Sequence, residues 1–267
     1  MKSTDQKLRA KEFIRILAAE GRYSFDSAEA RKALDVSADA AKLALLRLKK
    51  DQAIASPARG FYVIVPPEYL PLGSLPADQF VPALMQRAAL RYYVGLLSAA
   101  QYHGSAHHRP QELQVMVPKP RRLILVGRVR VRFFVRSRLH DVATQFFNTP
   151  RGTILVSTPE ATALDLVGYQ QSIGGLDHIA TVLAELASML NPTRLADSAK
   201  AAPLPWAQRL GFLLEQVGAA KKVKPLKSYV EAVARQSIPL LPGASTARSA
   251  TDHKWKVAVN AEVEAEA

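Results

Sequence analysis

The feature that most constrains the fold is a run of arginines at alternate positions near the middle of the chain. In the stretch GRVRVRFFVRSR, residues 127–138, the first three arginines alternate with valines. Because successive side chains of a β-strand point to opposite faces, this spacing predicts a strand with one basic and one apolar face. The basic face consists of Arg128, Arg130, Arg132, Phe134, Arg136 and Arg138.

The charge on this face leaves two interpretations open. Residues 119–138 hold eight Lys and Arg, including Arg122, and no Asp or Glu that would relieve their repulsion across a sheet. One interpretation is an edge strand that its charges protect from aggregation. The other is an anion-binding face on which Phe134 serves as a stacking platform among the cations.

The composition of the whole chain points to a polyanionic partner. The 267 residues carry a net charge of +13 with a pI near 10.0, which favours nucleic acid, acidic lipid or an acidic protein. The absence of cysteine excludes disulfides and thiolate chemistry. The N-terminus carries charges throughout instead of an apolar signal segment, and no apolar run approaches the ~20 residues of a membrane span. These observations predict a cytoplasmic protein with no membrane partner.

The first 65 residues predict a winged helix-turn-helix. Apolar spacing and stop signals give the order helix, strand, helix, turn, helix, hairpin, with Asp26 or Ser27 capping the second helix and Ser37 the third. Such a recognition helix fits the DNA major groove, and the hairpin forms a wing. The candidate DNA-binding residues are Ser27, Ser37, Lys42, Arg47, Lys49, Lys50 and Arg59. Alternatively, the same module serves protein contacts alone, with its cations as a solvated face.

The remainder of the chain predicts a second, larger domain. Residues 66–79 contain four prolines and are typical of a linker or an extended strap in which a helix is disfavoured. Beyond them, helical and strand patterns alternate, including a single helix over residues 91–104. The predicted fold class is mixed α/β (α+β), with a winged helix-turn-helix over 1–65, a linker over 66–79 and a mixed α/β domain over 80–267.

Residues capable of catalysis or metal binding are sparse. His103, His107 and His108 lie close together, but a metal site needs further ligands and a supporting shell. Gly104-Ser105 invites comparison with the Gly-Ser loop of nucleotidyltransferases, which requires closely spaced acids, whereas the next acid here is Glu112. Phosphate-loop, zinc-protease, dinucleotide and nucleophile-elbow motifs are absent. The sequence therefore predicts no enzyme, no metal site and no cofactor.

The order of several segments resembles that of the AbiEi-type antitoxins. SADAAKLALLRLKKDQAIASPARGFYVI resembles the family's winged helix, and RYYVGLLSAAQYHG resembles its aromatic helix ending in Ser-Ala and His-Gly. STPEATALDLV with GGLDHIATVLAEL, RLGFLLEQVG and HKWKVAVN resemble its later helices and its terminal tryptophan strand. The family-like positions are Tyr92, Tyr93, Ser98, His103, Gly104, Arg209, Leu210 and Gly211. The chain departs from the family pattern at AHHRP and at DQA, where a glycine is common.

The resemblance implies a two-domain antitoxin of a toxin–antitoxin or phage-defence operon. Its winged helix would bind double-stranded DNA at its own promoter and repress it, and its C-terminal domain would neutralise a nucleotidyltransferase-like toxin encoded beside it. In the family this neutralisation is considered to proceed without a stable complex. The alternatives are a ligand-sensing transcription factor, with a deep apolar pocket lined by the arginines, and a nucleic-acid-processing enzyme that holds its substrate on the basic sheet face.

Overall fold

Capping residues and apolar spacing fix the N-terminal helices. The structure, a computed structural model, describes residues 2–105 and 111–263, with side chains from Arg9 onward. The first elements are α1 (Lys2–Ala19), β1 (Ser24–Asp26), α2 (Ser27–Leu34) and α3 (Ala38–Lys50). The Asp26 carboxylate accepts a hydrogen bond from the Glu29 amide at 2.8 Å and caps α2. The Ser37 hydroxyl accepts one from the Ala40 amide at 3.3 Å and caps α3, as predicted.

A three-stranded antiparallel sheet completes this segment. β2 (Ile54–Ala58) and β3 (Phe61–Ile64) form a hairpin, and β1 pairs with the other side of β3. Gly60 in the hairpin turn has a φ of +70°, in the left-handed region that favours glycine. The buried cluster beneath these elements includes Ile14, Leu17, Phe25, Leu45 and Leu48. The observed order of elements is the order that the sequence predicts.

The proline-rich segment is folded and packed. A 3₁₀ helix occupies Pro67–Leu72, and α4 (Ala77–Arg87) begins directly after Pro76. Proline is compatible with both helix starts, because the first residues of a helix need no amide donor. The intervening Ser74 and Leu75 are fully buried. The expectation of an extended segment without helix is therefore wrong for residues 67–72.

The stretch over residues 91–104 divides into β4 (Tyr93–Val94) and α5 (Leu96–Tyr102). The prediction of a single helix is therefore wrong at its start. Val94 pairs with Val156 of a later strand, and the backbone of Gly95 remains extended before the helix begins. The pairing of strands that are distant in sequence outweighs the local helical periodicity here.

The arginine-rich segment folds as a hairpin. β5 (Leu113–Val117), β6 (Ile124–Val126) and β7 (Val129–Val135) form neighbouring strands, with β7 parallel to β5 and antiparallel to β6. The turn between β6 and β7 requires Gly127, because its φ is +56° and a Cβ there would lie 2.1 Å from the carbonyl oxygen of Leu72. The Arg128 amide donates to the same carbonyl at 2.8 Å. The hairpin is thereby anchored to the 3₁₀ helix.

The chain forms two compact units. The first consists of Met1–Tyr92, Gln111–Val135 and Asn148–Ile154, and the second of Tyr93–Pro110, Arg136–Phe147 and Leu155–Ala267. A single core in the first unit joins β2 and β3 to α4 and to the three strands β5–β7, and its buried members include Phe61, Val63, Leu84, Val115 and Val131. The arginine-rich hairpin therefore shares a core with the β2–β3 hairpin and α4, whereas α1 to α3 pack in the separate cluster described above. The predicted domains, with limits at residues 65 and 79, do not coincide with these two units. The assignment of separate functions to the predicted domains stays a prediction.

The later elements complete a mixed α/β fold, which confirms the predicted class. They are β8 (Thr144–Thr149), β9 (Gly152–Ser157), α6 (Pro159–Gly168), α7 (Gly175–Leu186), α8 (Pro192–Lys200), α9 (Leu204–Gln216), α10 (Lys224–Val233), β10 (Ile238–Pro239), β11 (Ala250–Asp252) and β12 (Val257–Val259). The Thr158 hydroxyl accepts a hydrogen bond from the Ala161 amide and caps α6. Trp255 lies in the turn before β12 and not in the predicted strand. Among the described helices, none has the length and apolarity needed to cross a bilayer.

Candidate functional site

The exposed face of α3 carries most of the predicted DNA-binding residues. Lys42, Lys49 and Lys50 are exposed and Arg47 is half-buried. Ser37 serves as the helix cap, so its hydroxyl already accepts a backbone hydrogen bond. The structure therefore brings the four cations together on one helix and gives Ser37 a capping role.

The start of α2 and the hairpin turn place two further predicted residues close together. The Ser27 amide donates to the carbonyl of Gly60 at 3.2 Å, and Arg59 immediately precedes that glycine. Both Ser27 and Arg59 are exposed. The Ser56 hydroxyl donates to the carbonyls of Ala58 and Phe61 and so holds the turn in shape. The turn presents a cation to solvent on a fixed backbone, as a wing would.

The first half of the arginine series forms an exposed basic face on the β6–β7 hairpin. Arg122, Arg128, Arg130 and Arg132 are exposed. The Arg132 guanidinium also forms an ion pair with Glu112 at 2.8 Å, so the acid that follows Gly104-Ser105 in sequence relieves part of this charge. Arg138 is exposed as well, but it lies beyond the strand and in the second unit.

The second half of the series is not part of this face. Phe134 is 9% exposed and Arg136 is 4% exposed, so the prediction that both belong to the basic surface is wrong. The alternation of exposed and buried residues reverses at Phe133, which is half-buried. Beyond it Phe134 and Arg136 are buried, whereas Val135 is exposed. A buried Phe134 cannot serve as a stacking platform for nucleic-acid bases.

Arg136 instead belongs to a buried charged cluster in the second unit. Its guanidinium lies 3.2 Å from a carboxylate oxygen of Asp165 on α6, and the Tyr93 hydroxyl donates to the other oxygen at 2.7 Å. Burial raises the pKa of Asp165 to about 6, although the charge of Arg136 acts in the opposite direction. Burial, followed by the charge of Asp165, raises the pKa of Tyr93 far above its usual range. This cluster holds a charged pair at the centre of a packed core.

Two tryptophans in the second unit occupy spaces that glycine leaves open. Arg136 lies over the ring of Trp206, 4.6 Å from its centroid, and a Cβ at Gly168 would lie 2.4 Å from that ring. In the same way, a Cβ at Gly211 would lie 2.1 Å from the ring of Trp255. The glycine of the Arg-Leu-Gly segment is therefore required for the packing of a fully buried tryptophan.

The remaining family-like positions are mostly interior. Leu210, Ser98 and His103 are buried, and the Nε2 atom of His103 lies 2.7 Å from the carbonyl oxygen of Ser157. Burial lowers the pKa of His103. Arg209 is buried as well, its Nε–H donates to the carbonyl of Pro239 at 2.8 Å, and burial lowers its pKa. Tyr92 is half-buried, and Gly104 ends its turn with a φ of +78°. These residues stabilise the interior of the fold and form no reactive cluster.

The two units differ strongly in net charge. The first contains 22 Lys and Arg against 11 Asp and Glu, which gives +11 of the total of +13. The second contains 14 against 12 and so contributes only +2. An excess of this size concentrates polyanion attraction on the first unit.

Two cavities in the described part of the chain give no support to the ligand-sensing alternative. One, of about 1060 Å³, is lined by Phe212, Gln216 and residues 245–263 of the second unit. The other, of about 850 Å³, lies between α1 and α2. Residues 119–138 line neither of them. Within the described part of the chain, no group of three or more His, Asp or Glu side chains could hold a metal ion, and His107 and His108 lie outside that part.

Sequence reasoning missed two kinds of residue. Leu43 and Leu46 are about half exposed on α3, and a helical projection of the core positions Leu45 and Leu48 would have placed them opposite the core. Asp165 was missed because eight consecutive residues of α6 are buried, so its sequence shows no polar face from which a functional carboxylate would stand out.

Comparison with known protein families identifies one matching domain in this chain. Residues 93–216 match the family described as the AbiEi antitoxin C-terminal domain, which confirms the resemblance of the sequence to AbiEi-type antitoxins. The match supports a role in a toxin–antitoxin system. No curated protein sequence matches the chain.

Two solved structures resemble the fold to different degrees. The RV2827C protein from Mycobacterium tuberculosis has a TM-score of 0.66 and 16% identity, with 94% of this chain and 90% of that chain covered. An antigenic nucleotidyltransferase-like protein from Paracoccidioides brasiliensis has 10% identity, with 58% of this chain and 91% of that chain covered, and its TM-score of 0.36 is too low to carry an argument. The first likeness shows a shared fold alone.

Proposed function

We propose, from the match of residues 93–216 to the AbiEi antitoxin C-terminal domain, that the chain is a DNA-binding antitoxin that represses its own operon. In this proposal its second activity is to neutralise a nucleotidyltransferase-like toxin encoded beside it, without a stable complex. The protein acts in the cytoplasm and uses no cofactor. The observation that carries the DNA-binding half is the net charge of +11 on the first unit.

The geometry of the first unit supports a winged helix-turn-helix mode of binding. α3 carries four cations on its solvent side, and the turn of the β2–β3 hairpin presents Arg59. A helix of this kind enters the major groove while the hairpin contacts the adjacent backbone or minor groove. The exposed arginines of the β6–β7 hairpin belong to the same unit and extend the surface available to phosphates.

Binding to DNA from upstream of the protein's own gene tests this half of the proposal. We expect sequence-preferring binding whose logarithmic affinity falls with the logarithm of salt concentration, by about 0.9 per phosphate contact. Replacing Lys42, Lys49 and Lys50 with Ala should reduce that slope by about three such contacts. The matched control replaces Arg194, Lys221 and Lys224, exposed cations of the second unit, and should leave the slope unchanged. Binding that ignores both salt and sequence would refute the proposal.

Co-expression with the neighbouring gene tests the neutralising half. The full chain, expressed from an unrelated promoter, should restore growth of cells that produce the toxin. The variant with Lys42, Lys49 and Lys50 replaced should still restore growth, because in this proposal neutralisation does not depend on promoter binding. Failure of the unaltered chain to restore growth would contradict the antitoxin assignment.

A further inference from the structure

Two leucines occupy the centre of the solvent face of α3. Leu43 and Leu46 are 54% and 51% exposed, although the other side of the helix packs into the core. A single exposed leucine is ordinary, but two that are three positions apart are neighbours on one helix face. At about 100° per residue they lie with Lys50 in a sector of about 60°, opposite the buried Leu45 and Leu48. The midline of the exposed face is therefore apolar over one helical turn.

Cations flank this midline. In the same projection Lys42 and Lys49 lie on one side of the leucines and Arg47 lies on the other. The single acid in the sequence of the helix, Asp39, is exposed on the same midline one turn before Leu43, in the first turn, where the helix dipole stabilises its negative charge. The two leucines thus lie between two lysines on one side and one arginine on the other, which complements a polyanion that has apolar groups between two rows of charge.

We infer that Leu43 and Leu46 contact thymine bases and so determine part of the DNA sequence that this protein binds. The inference rests on the proposed promoter binding. A helix in the major groove turns its midline toward the base edges and its flanks toward the two phosphate backbones. The C5-methyl of thymine is the apolar group on the floor of that groove. The leucines pack on these methyl groups, and the DNA site contains A·T pairs at the corresponding positions.

The flanking charges favour DNA over a protein occupant of the same face. A protein that covered the leucines would have to bury Lys42, Lys49 and Arg47 or supply an acid for each of them, since an unpaired cation is costly to desolvate. A DNA duplex carries phosphates on both sides of the groove at every site, so no specially placed acid is needed. The charge of +11 on the whole unit acts in the same direction.

Removal of thymine methyl groups tests the inference directly. Footprinting first locates the protected site in DNA from upstream of the gene, and deoxyuridine then replaces every thymidine in it, which keeps base pairing but deletes the methyl group. We expect the affinity of the unaltered protein to fall about fourfold for each contacted methyl, as the transfer of one buried carbon implies. The variant with Leu43→Ala and Leu46→Ala should bind both DNAs equally, and as weakly as the unaltered protein binds the deoxyuridine site.

The choice of variants and the possible outcomes distinguish this inference from the proposed promoter binding on which it rests. Alanine keeps α3 intact because it has the highest helix propensity, and Leu70→Ala, at a leucine that is 43% exposed outside α3, is the matched control. Salt-sensitive binding that is equal for both DNAs would overturn the thymine contact and leave promoter binding standing. Unchanged DNA binding with an altered oligomeric state in the double variant would assign the leucines to a protein contact. Absence of promoter binding altogether would overturn both.

Discussion

The two units distribute their ionisable groups in opposite ways. Among the described residues of the first unit, no Lys, Arg, Asp or Glu side chain is buried. In the second unit four are buried, namely Arg136, Glu160, Asp165 and Arg209. A cation at the surface is free to meet a polyanion, whereas a buried one is committed to its neighbours in the core. One arginine-rich stretch therefore presents its charges to solvent in the first unit and packs a charge into the core of the second.

Removing the cation of the buried pair tests this difference between the units with the largest expected effect. Arg136→Ala leaves the Asp165 carboxyl buried without its guanidinium, and we expect the free energy of unfolding to fall by about 3–5 kcal/mol at pH 7. Urea unfolding followed by tryptophan fluorescence measures this effect, because both tryptophans of the chain, Trp206 and Trp255, belong to the second unit.

Arg132→Ala is the control, since Arg132 lies in the same arginine series but is exposed. It forms an ion pair with Glu112 at the surface, and its loss should cost no more than about 1 kcal/mol. If the two substitutions destabilised the protein equally, the distinction between a surface arginine and a core arginine would be lost.

The pH dependence of the unfolding free energy gives a second test, because the shifted pKa of Asp165 changes this free energy by about 3 kcal/mol in total. Its pKa of about 6 in the folded protein lies above the ~3.9 of an unfolded chain, so folding favours the protonated form. Its contribution to stability is thus fully present below about pH 3.9 and is lost as the pH rises through 6. Asp165→Asn does not titrate, so its unfolding free energy relative to the unaltered protein should improve by about 2 kcal/mol between pH 4 and pH 7, with the remainder of the effect below pH 4. A difference that is independent of pH would show that the folded carboxyl titrates normally.

The space beside Gly211 allows a test of the packing in the second unit. Gly211→Ala places a Cβ against Trp255, and we expect a loss of about 1–3 kcal/mol despite the gain in helix propensity. Ala184→Gly on the exposed side of α7 calibrates the backbone effect of glycine in a helix. The emission maximum of tryptophan should shift to longer wavelength in Gly211→Ala as the ring becomes exposed. An unshifted spectrum with unchanged stability would mean that the ring is not held by this contact.

Substitution of the exposed arginines should have the smallest effect on stability. Replacing Arg128, Arg130 and Arg132 with Ser should change the unfolding free energy by less than about 1 kcal/mol, because all three side chains are exposed. If this face extends the DNA footprint, the salt dependence of promoter binding should weaken by about three phosphate contacts. Intact promoter repression with loss of neutralisation would instead assign the face to an anionic target in that second activity.

Much of the fold follows from local patterns in the sequence. The cap at Ser37 and the strand that follows Gly127 are specified by neighbouring residues, and the structure has them where the sequence predicts them. The start of α5 was wrong because strand pairing between Val94 and Val156 involves residues 62 positions apart, which no local period reveals.

The candidate site was less predictable. The period-two pattern correctly gives Arg128, Arg130 and Arg132 an exposed side, since one face of that part of the strand is solvated. The same pattern failed at Phe134 and Arg136 because their environment depends on which distant residues cover the end of the strand. Sequence alone specifies which residues share a face of a strand, and only the tertiary structure specifies whether that face meets solvent.

The first unit is built from three separate segments of the chain, and this has a consequence for its synthesis on the ribosome. The helices α1 to α3 emerge early, but the core beneath the β2–β3 hairpin also needs Val115 and Val131, and the last segment of the unit ends at Ile154. A nascent chain that stops before this point exposes the apolar side of Phe61 and Val63, which marks it for chaperones and proteases. Completion of the cationic unit therefore requires translation as far as Ile154, within the region that matches the antitoxin domain.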